Sequence, residues 1–161
     1  MTVKKGAATS VWLRRATKDD VGFYFQIRKL TIRPLIEAYR PWDEDAEKRD
    51  IVKKVNIERD NIIMLGEKAI GLFSYFESDD EIYLGLMNIL PEYQSKGIGT
   101  NLLLDLKNKA DRLNKVIRLD TYLNNLRAIK FFEKAGYKII ASKILPSAYP
   151  KVIMQYSPIT E

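Results

Sequence analysis

The 161-residue chain contains no cysteine and no histidine. Without cysteine it forms no disulfide and offers neither a thiolate nucleophile nor a cysteine metal ligand. Without histidine it lacks the usual general base and the commonest metal ligand in proteins. These absences exclude Ser-His-Asp triads, zinc hydrolases and histidine phosphotransfer. We expect no metal cofactor.

Long apolar runs are missing as well. No stretch approaches the ~20 residues that span a bilayer, and the basic N-terminus has no apolar segment typical of a signal peptide. We therefore expect a cytoplasmic protein with no membrane partner. The length and a hydrophobic content of 46% favour a single domain over residues 1–161, with residues 1–9 as a flexible arm.

The positive charge is concentrated in one half of the chain. Residues 1–93 carry 15 Lys/Arg against 16 Asp/Glu, whereas residues 94–161 carry 12 against 5. A polyanionic partner of the second half would explain this asymmetry. Nucleic acid is an alternative for a chain of pI near 9.4, but no recognised nucleic-acid motif is present, so we do not expect it.

Hydrophobic patterning predicts the element order β-α-α-β-β-β-α-β-α-β-β. The predicted strands are 10–15, 61–65, 69–77, 81–90, 116–121, 137–145 and 151–156, and the predicted helices open near Thr17, within 43–57, at Gly97 and at Asn125. This order indicates a mixed α/β domain whose central sheet is mostly antiparallel, with helices on both faces. The apolar final strands are candidates for pairing between two subunits of a homodimer.

The most informative segment is residues 89–100, where an apolar strand leads through a turn into a long helix. Gly97 and Gly99 stand at the start of that helix. Amides at a helix N-terminus favour anions, and glycine lets a phosphate approach the backbone closely. Two competing motifs are excluded, because no Walker A spacing occurs and the dinucleotide motif would need glycine where Leu102 stands. The alternative to an anion site is that this segment is only a tight strand-to-helix turn that binds no ligand.

Two ordered motifs point to a family. Gln94-x-x-Gly97-x-Gly99 resembles the acetyl-CoA loop of the GNAT superfamily of N-acetyltransferases. Strand 117–121, then Asn125-x-x-Ala128 and the segment 131–137, resembles its second signature. The resemblance implies a six- to seven-stranded sheet that is splayed in the middle and flanked by about four helices.

The resemblance also implies a site for acetyl-CoA as acyl donor. Main-chain groups of the loop would hold the pyrophosphate, Ile89 would pair with the pantetheine arm and Asn125 would contact that arm, while Arg127 would meet phosphates. The residues implied in cofactor binding are Ile89, Gln94, Lys96, Gly97, Ile98, Gly99, Thr100, Asn125, Arg127 and Phe132.

Phe132 departs from the family pattern. Family members often have there a tyrosine that protonates the departing sulfur, and phenylalanine has no proton to give. A thiol of pKa near ~8.5 is a tolerable leaving group, so this departure does not exclude catalysis. Tyr122 is the candidate substitute acid; the alternative is an ordinary strand aromatic.

With no histidine, the base would be a carboxylate acting through water, or a water chain. Glu37, Trp42 and Asp43 lie in the segment that covers the acceptor site in the family. We expect them to bind the amine, with Glu37 as base or cation anchor; the alternatives are a solvated Glu37 and a Trp42 that packs a helix end.

These features predict an N-acetyltransferase that moves the acetyl group directly to a primary amine of a small molecule or a protein, through a ternary complex. The alternative is a catalytically silent acyl-CoA-binding module, which Phe132 motivates.

Overall fold

The computed structural model describes residues 2–3, 10–144 and 149–160. The helices are α1 (Val21–Thr31), α2 (Arg33–Glu37), α3 (Glu44–Lys54), α4 (Ile98–Leu113) and α5 (Leu126–Lys134). The strands are β1 (Thr2–Val3), β2 (Val11–Arg15), β3 (Asn61–Leu65), β4 (Lys68–Glu77), β5 (Glu81–Ile89), β6 (Val116–Tyr122), β7 (Lys138–Lys143) and β8 (Lys151–Tyr156).

The predicted fold class and element order are confirmed, and two short elements were not predicted. Thr2–Val3 form β1, although residues 1–9 were expected to be a flexible arm; the rest of that arm lies outside the described residues. Helix α2 is a fifth helix. Its Pro34 lies in the first turn, where proline is tolerated because no amide partner is lost. The predicted end of β7 at Leu145 also lies outside the described residues.

The chain forms two compact units, each held together by its own backbone contacts. The first unit comprises Met1–Ser74 and Leu86–Gly99, and its strands follow the order β1-β2-β3-β4-β5. The β1–β2, β2–β3 and β3–β4 pairs are antiparallel. Helices α1 and α3 contribute Tyr24, Ile27 and Ile51 to a buried cluster that Ile62 of β3 and Leu72 of β4 share.

The second unit comprises Tyr75–Gly85 and Thr100–Glu161, and its strands follow the order β4-β5-β6-β8-β7. Helix α4 buries Leu102, Leu106 and Ala110, as its apolar stripe predicts, while Leu113 at its end is exposed. The β6–β8 and β7–β8 pairs are antiparallel.

Among the described residues, the parallel pair of the second unit is short. It joins Glu81–Tyr83 of β5 to Val116–Arg118 of β6, although β6 runs on to Tyr122. No helix in the described part of the chain is both long and apolar enough to cross a bilayer.

Candidate functional site

The loop between β5 and α4 has a backbone suited to anions. Ser95 and Gly97 both have positive φ, at 59° and 81°. A Cβ at Gly97 would meet nothing within 4 Å, so the left-handed backbone and not crowding favours glycine there. Successive amides around left-handed residues before a helix form concave anion sites.

The residues of this loop differ in their exposure to solvent. Lys96, Gly97 and Thr100 are exposed, whereas Ile98 and Gly99 are buried at the first turn of α4. The start of α4 is thus accessible through the exposed residues, and Ile98 contributes its side chain to the interior.

Gln94 anchors the loop to the end of β5. Its Nε2 donates a hydrogen bond to the carbonyl oxygen of Ile89 at 2.8 Å. The side chain of Gln94 is therefore committed to the chain's own backbone. The Ile89 carbonyl is also engaged, which limits what this predicted cofactor contact can offer.

Gly71 of β4 sets the position of the end of β5. A Cβ at Gly71 would lie 2.5 Å from the Asn88 carbonyl oxygen and 2.9 Å from Cδ1 of Ile63. The Leu90 amide donates to the Ile70 carbonyl at 2.9 Å just beyond this point. Only glycine lets the two strands approach so closely.

Asn125 caps α5. Its Oδ1 accepts a hydrogen bond from the backbone amide of Ala128 at 3.2 Å, three residues on, as an N-cap side chain does. The side-chain NH₂ group of Asn125 has no partner among the described residues, and the residue is half-buried. That group can donate to a ligand.

The other two predicted cofactor residues of α5 differ in exposure. Arg127 is exposed in the first turn of the helix. Phe132 is buried, and its ring lies 5.3 Å from that of Phe131 and 5.4 Å from that of Tyr137. Phe132 is therefore part of an aromatic cluster.

The three predicted substrate residues lie around α2 and α3. Glu37 ends α2, and its carboxylate, which is 43% exposed, accepts a hydrogen bond from Nε of Arg33 at 2.9 Å. Asp43 is the N-cap of α3, since its Oδ1 accepts from the Ala46 amide at 3.0 Å. Both acids therefore have local structural partners.

Trp42 is the most unusual of these three residues. Its ring lies 6.4 Å from that of Phe25, yet its buried indole N–H finds no acceptor in the described part of the chain. A buried donor without a partner is costly. Trp42 therefore fits the predicted role of ligand contact better than Glu37 or Asp43 does.

In the second unit, Lys151 links a carboxylate to an aromatic ring. Its Nζ donates to Oδ1 of Asp120 at 3.3 Å and lies 5.1 Å from the centroid of Tyr122, the predicted acid. Asp120 also accepts a hydrogen bond from the hydroxyl of Tyr83 at 2.8 Å. Sequence reasoning did not single out Tyr83 or Asp120, although an aspartate inside an apolar strand is an unusual choice that could have drawn attention.

The structure distributes the predicted residues over both units. The first unit contains Glu37, Trp42, Asp43, Ile89, Gln94, Lys96, Gly97, Ile98 and Gly99, and the second contains Thr100, Tyr122, Asn125, Arg127 and Phe132. Among the described residues, no group of three or more acidic side chains is arranged to hold a metal ion.

Comparison with known proteins shows a family match and similarity to part of a curated protein. The profile of the acetyltransferase (GNAT) family matches residues 23–137. The spore coat polysaccharide biosynthesis protein SpsD of Bacillus subtilis is 31% identical over 71 residues, which cover 44% of this chain and 25% of SpsD. The match thus spans only about a quarter of that relative.

Solved structures show the same fold at low sequence identity. The PaiA N-acetyltransferase of Thermoplasma acidophilum, in complex with coenzyme A, is 18% identical with a TM-score of 0.67, covering 92% of this chain and 99% of that chain. The ribosomal-protein-S18-alanine N-acetyltransferase of Escherichia coli is 16% identical with a TM-score of 0.65, covering 94% and 96%. Arabidopsis thaliana Naa50, in complex with the bisubstrate analogue CoA-Ac-MVNAL, is 18% identical with a TM-score of 0.59, covering 91% and 98%.

Proposed function

The chain belongs to the acetyltransferase (GNAT) family, and we propose that it transfers the acetyl group of acetyl-CoA directly to a primary amine of a small molecule or a protein. The observation that carries the proposal is the exposed loop before α4, whose left-handed residues Ser95 and Gly97 lie within the motif Gln94-x-x-Gly97-x-Gly99. Main-chain amides there would hold the pyrophosphate.

The other proposed cofactor contacts follow from the exposure of each residue and the hydrogen bonds described above. The free NH₂ group of Asn125 would donate to the pantetheine arm, and exposed Arg127 would meet the nucleotide phosphates. Gln94 would act on the cofactor only through the backbone, because its amide is bonded to Ile89.

Direct transfer is supported by composition. The chain has no cysteine or histidine to carry the acetyl group as a covalent intermediate. Holding both substrates at once converts the reaction to an intramolecular one, which can supply about 7–11 kcal/mol of barrier reduction. Steady-state kinetics with a varied amine would then give intersecting lines in double-reciprocal plots, and parallel lines would contradict a ternary complex.

The acceptor amine would lie against Trp42, with Glu37 and Asp43 as neighbouring anions. The buried indole N–H of Trp42 supports this role, because a carbonyl or carboxylate of the acceptor would supply its missing partner. Tyr122 would protonate the leaving thiolate.

A second candidate function rests on Phe132. Its burial among aromatic rings leaves no hydroxyl at the position where relatives often have an acid, so a module that binds acyl-CoA without turnover is the alternative.

Calorimetric titration with coenzyme A, paired with a turnover assay on a panel of amines, tests both candidates. In a Gly97→Ala variant a side chain at this positive φ costs about 1–2 kcal/mol, so we expect the free loop to relax away from the left-handed backbone and to bind coenzyme A about tenfold more weakly. Gly22→Ala is the matched control, because Gly22 is exposed on α1 and a Cβ there meets nothing within 4 Å. Binding without turnover would favour the silent module, and no binding by the unchanged protein would refute both candidates.

A further inference from the structure

Two buried N–H groups of the first unit have no acceptor among the described residues, and both lie where α1 meets the start of α3. They are Nε of Arg28 and the indole Nε1 of Trp42. Phe25 and Arg28 are three residues apart on α1 and are therefore neighbours on one face of that helix. The Trp42 ring lies 6.4 Å from that of Phe25, and Glu47 of α3 accepts a hydrogen bond from Nη2 of Arg28 at 3.3 Å. Both donors therefore belong to one cluster.

Arg28 has more donors than Glu47 satisfies. The carboxylate of Glu47 is only 5% exposed, and Arg28 shares it with Nη2 of Arg40, which lies 3.4 Å away. Hydrogen bonds between a guanidinium and a carboxylate are usually shorter, about 2.7–2.9 Å. A guanidinium is a planar fork that can hold a carboxylate through two N–H groups at once. Arg28 therefore has a buried donor left for a second anion.

We propose, on the basis of the proposed function, that the acceptor is a small amine that also carries a carboxylate, and that Arg28 and Trp42 bind this carboxylate. An ionised carboxylate only accepts hydrogen bonds and has two oxygens, so it can satisfy both buried donors. An ammonium group has donors and no acceptor, so the second amine of a polyamine satisfies neither of them. The substrate class is therefore free amino acids and related amino carboxylates.

The position of Arg28 on α1 sets the size of the acceptor. Thr31 follows three residues later, about 4.5 Å along the helix axis, and its Oγ1 lies 3.5 Å from Nδ2 of Asn88 on β5. Asn88 precedes Ile89, the proposed contact of the pantetheine arm, and both belong to the same unit as α1. A short molecule can thus bind Arg28 through its carboxylate and place its amine near the end of β5.

Two lysines border the cluster. Nζ of Lys48 lies 5.0 Å and Nζ of Lys29 lies 5.8 Å from the centroid of the Phe25 ring. Lys48 is exposed, and Lys29 is 41% exposed and paired with Glu44. Such long side chains can turn aside and open the buried donors without a shift of either helix. Their charge also attracts an anion to this position.

The test compares amino acids with their own amides. Glycine, alanine, leucine, aspartate and lysine are each assayed as the free acid and as the C-terminal amide, at one pH, beside spermidine, glucosamine and a hexapeptide with a free amino terminus. The amide form makes the amine less basic, so more of it is present as the reactive free base. A preference for the acid therefore cannot come from the basicity of the amine.

We expect the best acid to exceed its amide at least about tenfold in kcat/KM, as one hydrogen bond to a charged group allows. Trp42→Phe keeps an aromatic ring and removes the indole N–H, and it should reduce this preference about tenfold by raising the KM of the acid. Trp12→Phe is the matched control. The indole N–H of Trp12 donates to the Gly66 carbonyl at 2.7 Å, so this variant removes the same group from a site with its own partner and should keep the preference.

Stability separates this role from a structural one. Trp42→Phe removes an unsatisfied donor, so its melting temperature should be unchanged or higher even though the preference is lost. Arg28→Lys is a second variant that keeps a cation opposite Glu47 but has no guanidinium fork. It should also reduce the preference for the acid.

Two kinds of result would overturn the inference. If the amides, spermidine, glucosamine or the hexapeptide are acetylated as well as the acids, or if Trp42→Phe keeps the full preference, this inference fails and the proposed function stands. If the unchanged protein acetylates none of these amines, the proposed function fails and the inference falls with it.

Discussion

At the scale of single residues, two buried tyrosines differ in what their hydroxyl groups contact. The hydroxyl of Tyr24 donates to Oδ2 of Asp60 at 2.7 Å, and both residues are buried. The hydroxyl of Tyr137 is buried without a partner in the described part of the chain. Burial raises the pKa of Tyr137, which keeps that hydroxyl neutral.

Removing each hydroxyl should therefore have opposite consequences. Tyr24→Phe leaves Asp60 without one of its hydrogen bonds in a buried site and should lower the free energy of unfolding by about 1–3 kcal/mol. Tyr137→Phe removes an unsatisfied polar atom and should leave that free energy unchanged or raise it. Urea denaturation of both variants checks this, and a clear loss of stability in Tyr137→Phe would show that its hydroxyl has a partner.

At the scale of elements, Gly71 is the residue on which the position of β5 depends. The Asn88 carbonyl oxygen lies 2.5 Å from where a Cβ of Gly71 would stand, and this oxygen belongs to the backbone and cannot rotate away. The residues that follow on β5 include Ile89, the proposed contact of the pantetheine arm. Fold and proposed site therefore depend on the same close approach.

Gly71→Ala should force the end of β5 away from β4. We expect a loss of about 1–3 kcal/mol in the free energy of unfolding, typical of overpacking, together with weaker binding of coenzyme A. Gly22→Ala, at an exposed position of α1, should instead gain up to about 1 kcal/mol, because alanine favours a helix more than glycine does. Equal stability of the two variants would contradict the close contact at Gly71.

At the scale of the whole molecule, charge is unevenly divided along the sequence. Residues 94–161 carry 12 basic and 5 acidic side chains, whereas residues 1–93 are nearly balanced. A cofactor with three phosphate groups fits the basic half, and attraction between exposed charges weakens with salt.

Salt should therefore weaken coenzyme A binding selectively. The Debye length falls from about 10 Å at about 0.1 M salt to about 3 Å at about 1 M. Over this range we expect the Kd of coenzyme A to rise several-fold by calorimetry, while the Kd of pantetheine, which lacks phosphates, changes little. A parallel change for both ligands would mean that the basic residues do not contact the phosphates.

Local chemistry explains what could be predicted from sequence. Thr17 and Asp20 form the predicted N-cap pairing before α1, in which the Thr17 amide donates to the Asp20 carboxylate at 2.7 Å. Asn125 caps α5 through a residue three positions away. Such motifs need only neighbours in the chain, so their residue types predict them.

The sequence by itself determined the element order, the glycine loop and the family, because each depends on periodicity or on spacings of a few residues. Only the tertiary structure decided that Gln94 bonds Ile89, that the buried Trp42 N–H has no acceptor in the described part of the chain, and that Tyr83 meets Asp120. Tyr83 and Asp120 are 37 residues apart. Strand pairing brings them together, and no local pattern specifies a contact at that separation.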